Sequence, residues 1–211
     1  MAIPDDVRVR LLDLGISRRY QPGEVIVLQA TATAGLCVVE SGLVKISTTS
    51  ADGREQVLRF VGTNASFNEV AALDGGPNPA TATALEPSVV LRVPRDAFVT
   101  VMAETPGLPE MIVQALAGRL RHLIELVEDL SFRHVSERVA RILLQSVTPH
   151  AGVGAGADLS RHVTQRELAE MAGTSREVVA RALKALEAAG AISINRGEIT
   201  LVAPSKLGAA R

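Results

Sequence analysis

The stretch from Thr164 to Lys184, TQRELAEMAGTSREVVARALK, constrains this chain more than any other. It predicts two short helices joined by a tight turn. Thr164 opens the first, with Glu167 three residues on, the spacing of a capping box. Leu168, Ala169 and Ala172 then recur at helical spacing. Gly173 follows, the residue type that enters the left-handed conformation of a tight turn most easily. Thr174 or Ser175 can cap the second helix. Val179, Leu183 and Leu186 form the apolar face of that helix, while Glu177, Arg181 and Lys184 repeat the same spacing on a polar face, with Arg176 beside them. One side can therefore be buried and the other can offer donors and an acceptor to a partner.

Two solvated amphipathic helices would also fit the periodicity, but the order Ser175, Arg176, Glu177, Arg181 argues for more. Arginine reaches guanine bidentately, and glutamate accepts from the cytosine amino group, so the set can read G·C-containing steps in a major groove. After the helices, Ala191–Val202 alternates and turns at Asn195–Gly197. This pattern predicts a β-hairpin, the wing of a winged helix.

Composition narrows the partner. The 211 residues suffice for two modest domains. From Ser131 to Arg211 there are 11 Lys+Arg and 7 Asp+Glu, leaving 11 and 16 for Met1–Leu130. The basic C-terminal part suits duplex DNA, and the acidic N-terminal part does not. Aromatics are only 2 %, which argues against a stacking platform for single strands. No apolar run reaches membrane-spanning length and the first ten residues are too charged for a signal peptide, so the expected location is the cytoplasm and no membrane partner is expected. The single cysteine, Cys37, excludes an internal disulfide and a four-cysteine zinc or iron–sulfur site within one chain.

Read in order, the chain predicts an α+β protein. A short helix over Asp5–Leu14 precedes a series of strands with turn signals about every 8–12 residues: Glu24–Gln29, Leu36–Glu40, Leu43–Ser47, Glu55–Val61, Thr81–Leu85 and Val89–Val93. That spacing reads as a small antiparallel β-roll. Within it, Phe67–Pro79 starts as a turn or two of helix and ends as a Gly/Pro-rich loop, where an anion can be held or a capped turn can fill the mouth of the roll. Pro94 can start a helix, and a long one follows from Pro109 to Leu130. Val113, Leu116, Leu120, Leu123, Val127 and Leu130 are spaced alternately three and four apart, an a/d seam over nearly three heptads. Ile112, Ile124 and Leu126 lie off that seam and can pack on the roll. The seam predicts parallel pairing in a homodimer. A hinge is expected at Ser131–Arg133, then a helix capped by Ser136, then a flexible Gly-rich loop over His150–Asp158. The domains expected are a sensor roll over 1–107, a dimerisation helix and hinge over 108–131, and a winged helix over 132–211.

A β-roll, a long seam helix and a C-terminal winged helix carrying Ser-Arg-Glu-x-x-x-Arg resemble the Crp/Fnr superfamily of bacterial transcription regulators. The resemblance covers nearly the whole chain and is most specific from Thr164 to Val202. It implies a cyclic-nucleotide-binding-like N-terminal domain that senses a signal and a homodimer that binds a palindrome. Arg176, Glu177 and Arg181 match the base-reading positions of the cyclic-AMP receptor branch, which implies a half-site like TGTGA. Lys184 matches a position near the phosphates, and Thr164 and Ser175 are expected as further backbone contacts. If the output is activation, RNA polymerase is another partner. Geometry separately asks for half-sites about one helical turn apart, because two recognition helices must enter successive major grooves.

The sensing half departs from that pattern. The residues expected at an effector pocket are Phe67, Asn68, Glu69, Pro79 and Ala80. Glu69 matches the glutamate that holds a ribose in the cyclic-nucleotide branch. However, Asn68 stands where glycine is usual, and Pro79 stands where an arginine should hold the cyclic phosphate. No arginine or lysine lies between Arg59 and Arg92. A buried phosphate without a cationic partner is costly. The expectation is an effector other than cyclic AMP, an unidentified small molecule, or none. Glu69 then serves as a helix-start or loop-bracing residue. A cyclic-AMP-responsive regulator with an atypical pocket is the alternative, as is a ligand-binding regulatory protein acting on another protein. No iron–sulfur cluster is expected from one cysteine, and no haem, since His122, His134, His150 and His162 all lie outside the roll. No Ser/His/Asp or Cys/His constellation, metal-ligand spacing or phosphate-cradling Gly loop points to an enzyme.

Overall fold

The computed structural model describes residues 5–147, 164–195, 198–203 and 207. These residues divide into two compact units, one built from the chain up to Thr48 and Leu58–Leu120, the other from Thr49–Val57 and the chain from Arg121 onward.

The first unit opens with α1 (Asp5–Leu14), as its pattern predicts, followed by strands β1 (Ile16–Tyr20), β2 (Val25–Val27), β3 (Leu36–Ser41), β4 (Val44–Thr49), β5 (Glu55–Val61) and β6 (Ser66–Phe67). Helix α2 (Glu69–Asp74), β7 (Thr81–Ala84), β8 (Ser88–Val93), α3 (Arg95–Glu104) and the start of α4 (Leu108–Phe132) complete it. The strands form two four-stranded sheets, ordered β1-β8-β3-β6 and β2-β7-β4-β5. Two strands were not legible in the pattern. β1 reads ISRRY and is exposed except at Tyr20, as suits an edge strand carrying charge, and β6 is only two residues long.

The inner strands of the first sheet, β8 and β3, are covered on both faces, so they do not alternate apolar and polar residues. Cys37, Val39 and Val90 face the core enclosed by the roll, with Tyr20, Phe67 and Val44. Leu36, Val38, Leu91 and Val93 face a second cluster with Val7 and Leu11 of α1, Phe98 and Val101 of α3, and Leu108 and Ile112 of α4. Cys37 is a fully buried filler of the roll core, and burial pushes its thiol up to about 12, which suits an inert residue.

Helix α4 begins at Leu108, one residue before the expected start. Pro109 sits in the first turn, where a missing N–H costs nothing. Of the proposed seam, Val113, Leu120, Leu123, Val127 and Leu130 are 40–65 % exposed. Leu116 is the exception: one turn beyond the buried Ile112, it leans on the second cluster. Ile124, expected off the seam and inward, is 51 % exposed.

Two local expectations at the end of α4 need correction. The helix runs through Ser131 and Phe132, with the Arg133 amide still bonded to the Asp129 carbonyl, so the break falls at Arg133 and His134. The next helix, α5 (Val135–Val147), already contains Ser136. Its N-terminal cap comes instead from Glu137, whose carboxylate accepts from the His134 amide at 3.1 Å. A carboxylate three residues on reaches an orphan N–H that a serine inside the first turn cannot.

In the second unit, α5 packs with α6 (Gln165–Ala172) and α7 (Arg176–Ala188). Val139, Leu143, Leu168, Ala172, Val179, Leu183, Leu186 and Ile192 form one core. Strands β9 (Ile192–Asn195) and β10 (Glu198–Leu201) pair antiparallel, Asn195 opposite Glu198, as the wing pattern predicts. The turn at 196–197 and the Gly-rich 150–158 lie outside the described residues. Among the described residues no helix is long and apolar enough to cross a membrane, and no cluster of His, Cys, Asp and Glu could hold a metal ion.

Candidate nucleic-acid interface and effector pocket

The helix-turn-helix forms where its local signals place it. Thr164 caps α6 with a complete capping box: its hydroxyl accepts from the Glu167 amide at 3.2 Å, and Glu167 accepts from the Thr164 amide at 2.9 Å. Gly173 takes the left-handed conformation at φ 61°, and a Cβ there would meet Gln56 Oε1 at 2.6 Å and Leu130 Cδ2 at 2.8 Å. Ser175 holds the N-cap position of α7. Arg138 of α5 donates to the Ala172 carbonyl at 2.8 Å, placing a cation at the C-terminal end of α6.

The two faces of α7 separate as the spacing demands. Val179, Ala182, Leu183 and Leu186 are buried. Ser175, Arg176, Glu177, Arg181 and Lys184 are exposed. Arg176, Arg181 and Lys184 form no ion pair within the described residues. The Ser175 hydroxyl, the Glu177 backbone amide and the nearby Arg176 and Arg181 charges hold the Glu177 carboxyl below its ordinary range. An ionised acceptor thus stands between two unengaged guanidinium groups at the start of a helix, a donor–acceptor set suited to base edges.

The structure brings part of the expected effector pocket together, around residues that the sequence did not point to. Phe67 is in the roll core, and Asn68 adopts φ 65° at the N-cap of α2. Glu69, the first residue of α2, is 2 % exposed. Both of its oxygens accept from the guanidinium of Arg119 on α4, Ser66 donates its hydroxyl to Oε1, and Arg59 Nη2 lies 3.7 Å from Oε2. Burial alone would raise the Glu69 carboxyl; Arg119, then Arg59 and Ser66, outweigh it and bring it to about 2. Burial in turn lowers Arg59 to about 10.

A second knot closes the loop. Asn78 is 2 % exposed. Its amide donates to the Leu28 carbonyl at 3.2 Å, to Thr31 Oγ1 at 3.0 Å and to the Ala32 carbonyl at 2.9 Å. Its oxygen accepts from the Ala34 amide at 3.2 Å and from Asn68 Nδ2 at 3.0 Å. Asn68 donates to the Gly35 carbonyl at 2.9 Å as well. Pro79 stands exposed just after this knot and Ala80 is buried. The loop is thus held by side-chain amides, and the glutamate by two arginines. Sequence reasoning missed Arg59, Asn78 and Arg119. Asn78 sat in plain view beside Pro79, but no periodicity marks a polar side chain as buried.

Replacing Glu69 by Gln leaves two arginines facing a neutral amide, and a broken buried pair costs about 3–5 kcal/mol. Urea unfolding of Glu69→Gln should show a loss of that order. The pH dependence follows from the depressed carboxyl. The folded form binds its proton less readily than the unfolded one, so this contribution is full above about pH 5 and is lost as pH falls toward about 2. The variant should therefore show a flatter stability profile than the parent in that window.

Comparison with known proteins agrees with this architecture. Residues 17–105 match the cyclic nucleotide-binding domain family, and residues 137–210 match the Crp-like helix-turn-helix domain family. The chain is 32 % identical over 197 residues to a CRP-like cAMP-activated global transcriptional regulator of Mycobacterium tuberculosis, covering 90 % of this chain and 88 % of that protein. It is also 32 % identical over 192 residues to the cyclic AMP receptor protein of Thermus thermophilus, covering 89 % and 86 %. Among solved structures, a c-di-GMP responsive global regulator from Xanthomonas campestris superposes with a TM-score of 0.79 at 22 % identity, over 94 % of this chain and 99 % of that one, a likeness of fold. These relatives are regulators and not enzymes. With a roll, a long helix and a Crp-like helix-turn-helix in this order, the chain belongs to the Crp/Fnr superfamily of DNA-binding transcription regulators.

Proposed function

We propose that this regulator acts as a homodimer, reads a TGTGA-like palindrome, and is governed by an effector other than cyclic AMP or by none. The division of labour is a sensor roll over 1–107, a dimerisation helix over 108–131 and a DNA-binding domain from 132 onward. Arg176, Glu177 and Arg181 contact bases, and Thr164, Ser175 and Lys184 contact the backbone. The observation that carries the DNA reading is the exposed polar face of α7, where Arg176, Arg181 and Lys184 form no ion pair within the described residues. For dimerisation it is the row of five seam residues left exposed on α4, a contiguous apolar strip that a second copy would cover. RNA polymerase is a further partner if the output is activation.

The effector reading rests on Glu69. Its carboxylate is already bonded to Arg119, and no cation stands at position 79 to meet a cyclic phosphate. A second reading, cyclic-AMP control through an atypical pocket, is favoured by the names of the relatives at 32 % identity. Calorimetric titration with cyclic AMP separates the two. The first expects no saturable heat at millimolar nucleotide and no change in DNA affinity, and saturable binding that strengthens DNA binding would establish the second.

Arg181→Ala should cost about 1–3 kcal/mol of specific affinity, the usual worth of a bidentate base contact, and should relax preference at its base pair. Gel-shift titration against a TGTGA-type palindrome and a scrambled duplex checks this; equal loss on both would remove the base-reading role. Leu123→Glu should yield monomers in sedimentation velocity, since a carboxylate on the seam meets its own copy across a parallel pair. A variant still sedimenting as a dimer would place the interface elsewhere.

A further inference from the structure

A cavity of 240 Å³ opens on the roll, lined by Arg18, Tyr20, Glu24, Val25, Ile26 and Arg92. Register explains why two arginines meet there. In β1, Arg18 and Tyr20 are two residues apart and share a face, and the Arg18 guanidinium lies 5.4 Å from the Tyr20 ring centroid. Across the ladder Arg18 pairs with Val90, and Ile16 pairs with Arg92, so Arg92 is the diagonal neighbour of Arg18 on the side that carries Val90. Val90 and Tyr20 belong to the roll core, which makes this the inner face. On its other flank Arg92 stands opposite Cys37, which is buried in the same core.

Inward-facing charge on an edge strand guards against edge-to-edge pairing, and that accounts for Arg18 on β1. It does not account for Arg92, which sits on β8 between β1 and β3. A half-buried guanidinium facing an apolar core needs a counter-charge. Glu24 is the acid at the cavity, and its Oε2 accepts from the Gln21 amide at 2.6 Å, closing its own turn. Neither Arg18 nor Arg92 forms an ion pair within the described residues. Tyr20 is 4 % exposed, and its hydroxyl is buried with no hydrogen-bond partner there. Two cations against one acid leave the lining with a surplus positive charge. The space equals about eight water molecules, enough for a small organic acid or a phosphate group.

We propose that this cavity binds a small oxyanion, a carboxylate or a phosphate, between Arg18 and Arg92. Its lining shares no residue with the Glu69 cluster or with the polar face of α7, so the proposal stands whether or not those readings do.

Tyr20 is the only tyrosine and there is no tryptophan, so tyrosine emission of the full chain reports on this cavity. The protein is titrated with inorganic phosphate and, separately, with succinate, at constant ionic strength set with sodium chloride. The expected result is a saturable change in emission with at least one of them, and the tighter of the two identifies the oxyanion. Arg92→Gln and Arg18→Gln should each raise the half-saturating concentration about tenfold, as loss of one charge-assisted hydrogen bond does. Arg18 is exposed, so its variant keeps the test available if Arg92→Gln does not fold. No saturable change with either anion, or half-saturation unchanged in the folded variants, would overturn the proposal.

Discussion

A carboxylate with almost no exposure cannot remain ionised without company, and Glu69 has three partners drawn from three places in the chain. Ser66 belongs to β6, Arg59 to β5 and Arg119 to α4. Their convergence fixes the start of α2, the end of the roll's shortest strand and the first half of the long helix against one another. The pair is not there to add stability in itself, since well-packed apolar residues can do as well in such positions. Its effect is on geometry. Only one placement of α4 on the roll satisfies both oxygens of Glu69, and any other leaves a buried charge exposed to its full desolvation cost.

What the sequence revealed and what it hid divide along a physical line. Features set by local spacing were legible. The capping box at Thr164, the glycine turn at 173, the two faces of α7 and the heptad run on α4 all express the helical period within a few residues. The roll's strands were legible where turns punctuated them. β1 was not, because an edge strand that carries Arg18 and Arg19 shows no apolar alternation. The bonds that shape the sensing half were also out of reach, because they join distant residues: Glu69 and Arg119 are 50 positions apart, and Asn78 bonds to Thr31 across 47. The hinge expected at Ser131–Arg133 falls slightly later because the helix carries one more local bond, the Arg133 amide to the Asp129 carbonyl, and Glu137, not Ser136, accepts from the His134 amide at the next start.

The two halves of the chain therefore stand in different relations to their family. The helix-turn-helix half exposes Arg176, Glu177, Arg181 and Lys184 on one face of α7, and the two arginines and the lysine form no ion pair within the described residues. The sensing half keeps the glutamate but engages it internally, and it binds the neighbouring loop with Asn68 and Asn78. Such a loop is ordered by its own side chains. That is a different arrangement from a pocket whose loop is organised by what enters it, and it is why family membership alone does not carry the signal across from the relatives.

The elbow between α4 and α5 has a mechanical side. Arg141 on α5 reaches back to two carboxylates on α4, Asp129 at 2.8 Å and Glu125 at 3.1 Å, and Asp129 is also held by Arg133. Arg138, one turn before Arg141, grips the end of α6. The break at Arg133 and His134 is thus spanned by a brace and does not act as a free joint. A twist in the last turns of α4 is delivered through α5 to α6 as torque, with little slack to absorb it. Helix α7, packed on both, takes its heading from the last turns of α4, as a rudder is set by its tiller.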